Sequence, residues 1–267
     1  MKNNFFFVSG RLGAFLILTS LFFAHTGCDR DHEPTPPETG PATLRVAITP
    51  VFEGEEVGIT DRFVNAQDCA VEMWNLKFYL SNIQLHGSNG TTTISDIEFY
   101  DIRNDKTSWN FEIPDGNYTG ISFDLGVPQH LNGTANPDFL ISVYDPLHPL
   151  SESNGMYWVW QTGYRFFTIE GRYDTLPQSG ESLPNTFAFH TGRDTLFRNV
   201  EIFEREFTAG QGSANALNFS VDLGRLFKNE SSEIDLREEH EYHGALANIE
   251  VGIRMANNSA AAFKLVP

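Results

Sequence analysis

The side chains in this sequence best suited to holding a transition-metal ion are its histidines, and several of them collect around one aromatic stretch. His190 lies in Phe187-Ala188-Phe189-His190-Thr191-Gly192. Alternate side chains of an extended strand face opposite ways, so Phe187 and Phe189 share one face and His190 takes the other. A half-buried imidazole beside a glycine is a candidate metal ligand. His130 and His148 ride on the long connection between Gly126 and Met156, just ahead of the aromatic block. Connections of that length in a compact domain are commonly functional or disordered. His240 and His243 stand three apart near the C-terminus, a spacing that shares a face if the segment is helical.

The aromatic block itself runs from Met156 through Tyr157, Trp158, Val159, Trp160, Gln161, Thr162, Gly163, Tyr164, Arg165, Phe166 and Phe167 to Gly171, and holds two of the four tryptophans. Strand alternation places Met156, Trp158 and Trp160 on one face, with Gly163 as the natural position for a bulge or a close backbone approach. Two readings follow from spacing. The aromatics fill the core of a β-protein, or Trp158 and Trp160 form a stacking platform for a carbohydrate or peptide.

The elements that must position these groups are short strands separated by turn residues. Leu44 to Thr49, Leu76 to Leu85, Ile94 to Ile102 and Trp109 to Ile113 have strand composition. Ile121, Phe123, Leu125 and Val127 alternate with Ser122, Asp124 and Gly126, and Leu217, Phe219, Val221 and Leu223 repeat that period of two. An all-β fold follows, a single-domain β-sandwich or jelly roll, with Ile234 to Ala256 read as one or two short helices.

Residues 1–27 read as a secretory signal: Lys2 and Arg11 flank the n-region, and Leu12 to Ala24 is an apolar run too short to span a bilayer as a stable anchor. Ala24-His25-Thr26-Gly27-Cys28 resembles a bacterial lipobox with His25 where an aliphatic residue is usual, which makes Cys28 the lipidated residue of a mature chain. Residues 28–41 are polar and proline-rich and read as a disordered tether. The folded domain spans 42–267. The expected location is the bacterial cell envelope, as an outer-membrane lipoprotein facing either the periplasm or the surface.

The formal charge is −17, and removing residues 1–27, with two basic and no acidic residues, takes it to −19. Such a chain repels a phosphate backbone and carries no basic stripe, so nucleic acid is excluded as a partner. Of the two cysteines, lipidation occupies Cys28 and leaves Cys69 alone. That excludes a disulfide framework and a multi-thiolate zinc site, whereas an unprocessed Cys28 leaves a bridge to Cys69 open. No Gly-x-Ser-x-Gly elbow, His-Glu-x-x-His helix or phosphate loop occurs, and no catalytic activity is expected.

Four segments in order, Leu76-Lys77-Phe78-Tyr79-Leu80-Ser81-Asn82, Leu125-Gly126-Val127-Pro128, the block from Gly155 to Phe166, and Phe189-His190-Thr191-Gly192, resemble the MbnP-like family over roughly residues 42–258. That family comprises secreted copper-binding proteins found beside methanobactin genes, together with many bacterial relatives, often lipoproteins. The resemblance implies a β-sandwich that sequesters or delivers copper outside the cytoplasm, as Cu(I) or Cu(II). It implies histidine ligands, here His190 and His130, and His243, singled out by its spacing from His240, is the third candidate. The resemblance also implies a tryptophan near the metal, here Trp158 or Trp160, converted to kynurenine by a di-haem enzyme related to cytochrome c peroxidases. One relative places its modified tryptophan two residues before a ligand histidine, and this chain has no Trp-x-His. Neutral imidazole ligates copper in either oxidation state, the Met156 thioether suits Cu(I), and Gln161 or Glu170 is available to accept a ligand imidazole's other N–H.

Overall fold

Apolar residues at every second position of β1 (Ala42–Phe52) bury Ala42, Leu44, Val46 and Ile48 on one face and leave the alternate side chains outward. In the computed structural model, which describes residues 40–132, 143–158, 163–176 and 182–266, that face is one wall of a sandwich. The leader expected over 1–27, the lipidated Cys28 and the tether up to residue 39 lie outside the described residues, as do Trp160 and Gln161.

Among the described residues, the first sheet has five strands. β1 runs parallel to β14 (Ala214–Asp222), which pairs onward with β16 (Phe263–Leu265). The other edge of β1 takes β6 (Ser108–Ile113) and the short β2 (Glu55–Glu56).

The second sheet, with nine strands among the described residues, is organised by β4 (Ala70–Gly87), which is long enough to receive two partners end to end on each edge. One edge pairs with β3 (Arg62–Val64) and then β5 (Gly90–Asp101). The other pairs with β10 (Phe167–Asp174) along Ala70 to Phe78 and with β7 (Gly116–Leu125) from Leu80 onward. The change of partner falls at Tyr79, whose N–H donates to the Phe166 carbonyl (3.0 Å) and whose carbonyl accepts from Gly126 (3.0 Å). β12 (Arg198–Ile202) and β13 (Phe207–Ala209) line the far side of β7. β11 (Asn185–Thr191) and then β15 (Glu241–His243) extend the sheet beyond β10.

Aromatic rings weld the two sheets. Phe123 meets Phe219 edge-on at 6.1 Å and Phe263 at 5.3 Å, while Phe78 stacks on Tyr100 at 4.2 Å and meets Phe263 edge-on at 5.6 Å. The short helix α1 (Leu223–Phe227) is capped by Asp222 and seats Phe227 against Phe187 and Phe189. A smaller apolar cluster of Tyr79, Phe99, Val127, Leu150, Met156, Tyr164 and Phe166 covers part of the outer face of the second sheet. The described residues therefore form an all-β sandwich with a short C-terminal helix.

Two expectations are corrected. The aromatic block is not one strand, because Tyr157–Trp158 (β8) folds back on Gly163–Tyr164 (β9) as a separate hairpin before β10 begins. The C-terminal helix α2 spans Ile249–Ala261 rather than beginning near Ile234, so His240 and His243 share no helical face. Tyr242 buries its ring against Gly252 of α2, where an added Cβ would lie 2.5 Å from Tyr242 Cε1. That packing holds residues 241–243 extended.

Because Phe78 is wholly buried between rings of both sheets, Phe78→Ala is expected to cost about 3–5 kcal/mol. Urea denaturation should show a lower midpoint with an unchanged slope, and a midpoint shift corresponding to under about 1 kcal/mol would contradict this packing.

Candidate metal centre

Antiparallel pairing of β10 with β11 sets Thr168 opposite His190 and Ile169 opposite Phe189. Phe187, Phe189 and Ile169 enter the core, and the same alternation sends His190, Thr168 and Glu170 to the outer face. Parallel pairing of β15 with β11 then sets His243 beside His190. On the other side of β10, Glu170 lies opposite Asn75 of β4. Four strands thus bring one carboxylate, one amide and two imidazoles to a single patch.

The geometry within the patch is directional. His190 Nε2 lies 2.7 Å from Glu170 Oε1, and His190 Nδ1 lies 3.0 Å from His243 Nδ1, with the rings crossed at 67°. Glu170 Oε2 accepts from Asn75 Nδ2 at 3.0 Å. The His190 side chain is 7% exposed and that of His243 45%.

The His190 hydrogen bond, against an opposing cost of burial, holds the Glu170 carboxyl down at about 2, helped by the charge of His190 and by Asn75 and Trp74. Burial lowers His190 below its ordinary value, the Glu170 bond offsets part of that, and the nearby Arg165 charge and His243 add to the lowering. Near neutral pH the pair is a carboxylate and a neutral imidazole. A carboxylate only accepts, so the His190 proton sits on Nε2 and the Nδ1 lone pair faces His243. This is the arrangement by which metal-binding histidines are oriented.

The β8–β9 hairpin forms one wall. Met156 accepts a hydrogen bond from Thr168 Oγ1 on its thioether (3.7 Å), and the Arg165 N–H donates to the Met156 carbonyl. The Trp158 ring, 0% exposed, lies over Gly192, where a Cβ would meet Cζ3 of the indole at 2.4 Å. Only glycine permits that approach two residues beyond His190. Burial also means that Trp158 cannot stack on a sugar or peptide in solution, so the paired platform expected of Trp158 and Trp160 is not formed in this conformation. Arg165 has its guanidinium partly desolvated beside Glu170, and its Nε has no hydrogen-bond partner among the described residues.

Of the expected ligands, the structure brings His190 and His243 together and leaves His130 apart, exposed on the turn after Pro128 with no hydrogen bond or ring contact to the pair. His148 accepts from the Leu150 N–H at 3.0 Å and stacks on Tyr144, which makes it part of its own loop. His240 is exposed beside Tyr173. Cys69 is buried and unbridged, with its thiol pushed up by burial. Among the described residues, no group of three or more histidine, cysteine, aspartate or glutamate side chains is placed to hold a metal, so the centre offers a two-imidazole pair. Asn75 and Trp74 were not among the residues that sequence spacing singles out.

A family model described as MbnP matches residues 41–246. Among solved structures, MbnP from Methylosinus trichosporium aligns at 19% identity with a TM-score of 0.48, covering 77% of this chain and 81% of that one. No curated protein matches.

The electrostatics give a pH signature. Glu170 is held far below its ordinary value of 4.5, so its contribution to stability is complete above that pH and is lost as pH falls towards about 2. His190, lowered from 6.5, adds a loss beginning below that value, because the unfolded chain takes up the proton first. Glu170→Gln should lower stability at pH 7 by about 1–3 kcal/mol. The gap from the parent should close as pH drops from 4.5 to about 2 in acid denaturation, and a gap that stays constant to the lowest pH would contradict the assignment.

Proposed function

The chain belongs to the MbnP family, and from that premise we propose that it binds copper through His190 and His243 and sequesters or hands on the ion without catalysing a reaction. The observation that carries this reading is the facing of the two Nδ1 atoms at 3.0 Å while the other His190 nitrogen is taken by Glu170. Neutral imidazole nitrogen is a good ligand for copper in both oxidation states. The buried Met156 thioether, beside Thr168 on the same face, adds a soft atom near the pair. His130 stands outside this assignment.

Lipidation at Cys28 and residence in the bacterial cell envelope belong to the same proposal and rest on the leader and lipobox pattern of residues 1–28. So does a di-haem peroxidase-like partner that would oxidise Trp158 or Trp160. An oxidised Trp158 would lie next to the strand that carries His190, because its ring covers Gly192.

Metal analysis after exposure of the purified protein to copper, followed by dialysis, should return about one ion per chain in the parent. His243→Ala is the cleanest variant, since that side chain is half exposed and its loss leaves the core intact. It should abolish stoichiometric binding, as should His190→Ala, while His130→Ala should bind like the parent. Unchanged binding in the His243 variant, with circular dichroism confirming the fold, would sink the assignment.

A further inference from the structure

Between β4 and β10 the pairing slips: Glu170 lies opposite Asn75 but Gly171 lies opposite Met73, so Trp74 is an extra residue in β4. Met73 and Leu76 both enter the core. Two residues rather than one stand between these inward side chains, which turns both Trp74 and Asn75 to the outer face where Glu170 lies. Bulges commonly re-aim side chains beside functional sites.

Asn75 is buried, and its Oδ1 has no hydrogen-bond partner among the described residues. Its amide is therefore committed to the 3.0 Å bond it donates to Glu170 Oε2. With Oε2 so occupied, Oε1 is the oxygen left for His190, 2.7 Å away. The Trp74 ring is steadied by the Arg172 guanidinium 5.6 Å from its centroid.

We propose that Asn75, turned outward by the bulge at Trp74, is a positioning residue: by holding Glu170 it places the His190 proton on Nε2 and presents Nδ1 to the ion shared with His243. The role deepens the copper-binding reading and rests on it for the identity of the ion, but the placement of the proton is a property of the metal-free protein. Among the described residues Asn75 makes no hydrogen bond to either imidazole, and its amide bonds the carboxylate. It acts through the carboxylate alone.

Long-range proton–nitrogen NMR of metal-free protein carrying 15N-histidine reads the His190 tautomer directly. The parent should show Nε2–H alone. Asn75→Leu, which keeps the volume and removes the donor, should show a mixture with Nδ1–H, and Asn75→Ser, too short to reach Glu170, should do the same if the leucine variant does not fold. Copper titration should then show affinity reduced by about 10–100-fold in either variant. A parent in the Nδ1–H form, or variants with the parent's tautomer, overturns the positioning role whatever the copper result. If the tautomer shifts as stated but the parent takes up no copper, the positioning role stands and the copper reading fails.

Discussion

A one-residue slip of β11 against β10 would turn Phe187 and Phe189 out to solvent while Ile169 of β10 stayed inward, and for that reason the register is held by the full weight of the core. The same register sets His190 diagonally beside Glu170. Burial of the aromatics and assembly of the polar patch are consequently one constraint, imposed from opposite faces of two strands. β15 adds His243 by pairing in parallel with β11, and Tyr242, packed on the helix at Gly252, locks that short strand in place. No loop is needed to bring the two imidazoles together. Sites built on strands keep their geometry better than sites built on loops.

The patch has a cost that the fold must offset. A partly buried carboxylate is stable only where donors replace its water, and Glu170 has His190 and Asn75 for that purpose. Removing one partner of such a group leaves the other desolvated and unmatched, which costs more than the bond itself contributes. Arg165 adds a second desolvated charge beside the same carboxylate. Two carboxylates flank the imidazole pair, Glu170 on His190 Nε2 and Glu241 with its Oε2 3.8 Å from His243 Nε2, with the Arg165 guanidinium as counter-charge to Glu170.

Much of the sandwich is legible in the sequence, because strands with one buried face announce themselves by a period of two. Ile121, Phe123 and Leu125 and Leu217, Phe219 and Val221 lie in strands of the structure, while Val127 and Leu223, which continue the same period, fall past the strand ends, Leu223 opening α1. The outward turn of His190 is legible for the same reason, whereas the sequence leaves its second-nitrogen partner open between Gln161 and Glu170, and the pairing of β10 with β11 puts Glu170 there. The hairpin inside the aromatic block is not, since an unbroken apolar run carries no mark of where it reverses. His243 misleads in a specific way: its spacing from His240 fits a helix, while Glu241-Tyr242-His243 is too short for its in-and-out pattern to be distinctive. Asn75 is hidden most deeply. Its role depends on a bulge and on a partner 95 residues away, and neither leaves a local trace.

In the proposed centre His190 and His243 hold copper through Nδ1 while Glu170 stays outside the coordination shell. Anomalous diffraction at the copper edge from crystals of copper-loaded protein tests it most directly. The account predicts a single strong peak between the two Nδ1 atoms, with the bond from Glu170 to His190 Nε2 intact. A peak at His130 or on Glu170, or ligation of His190 through Nε2, would contradict it.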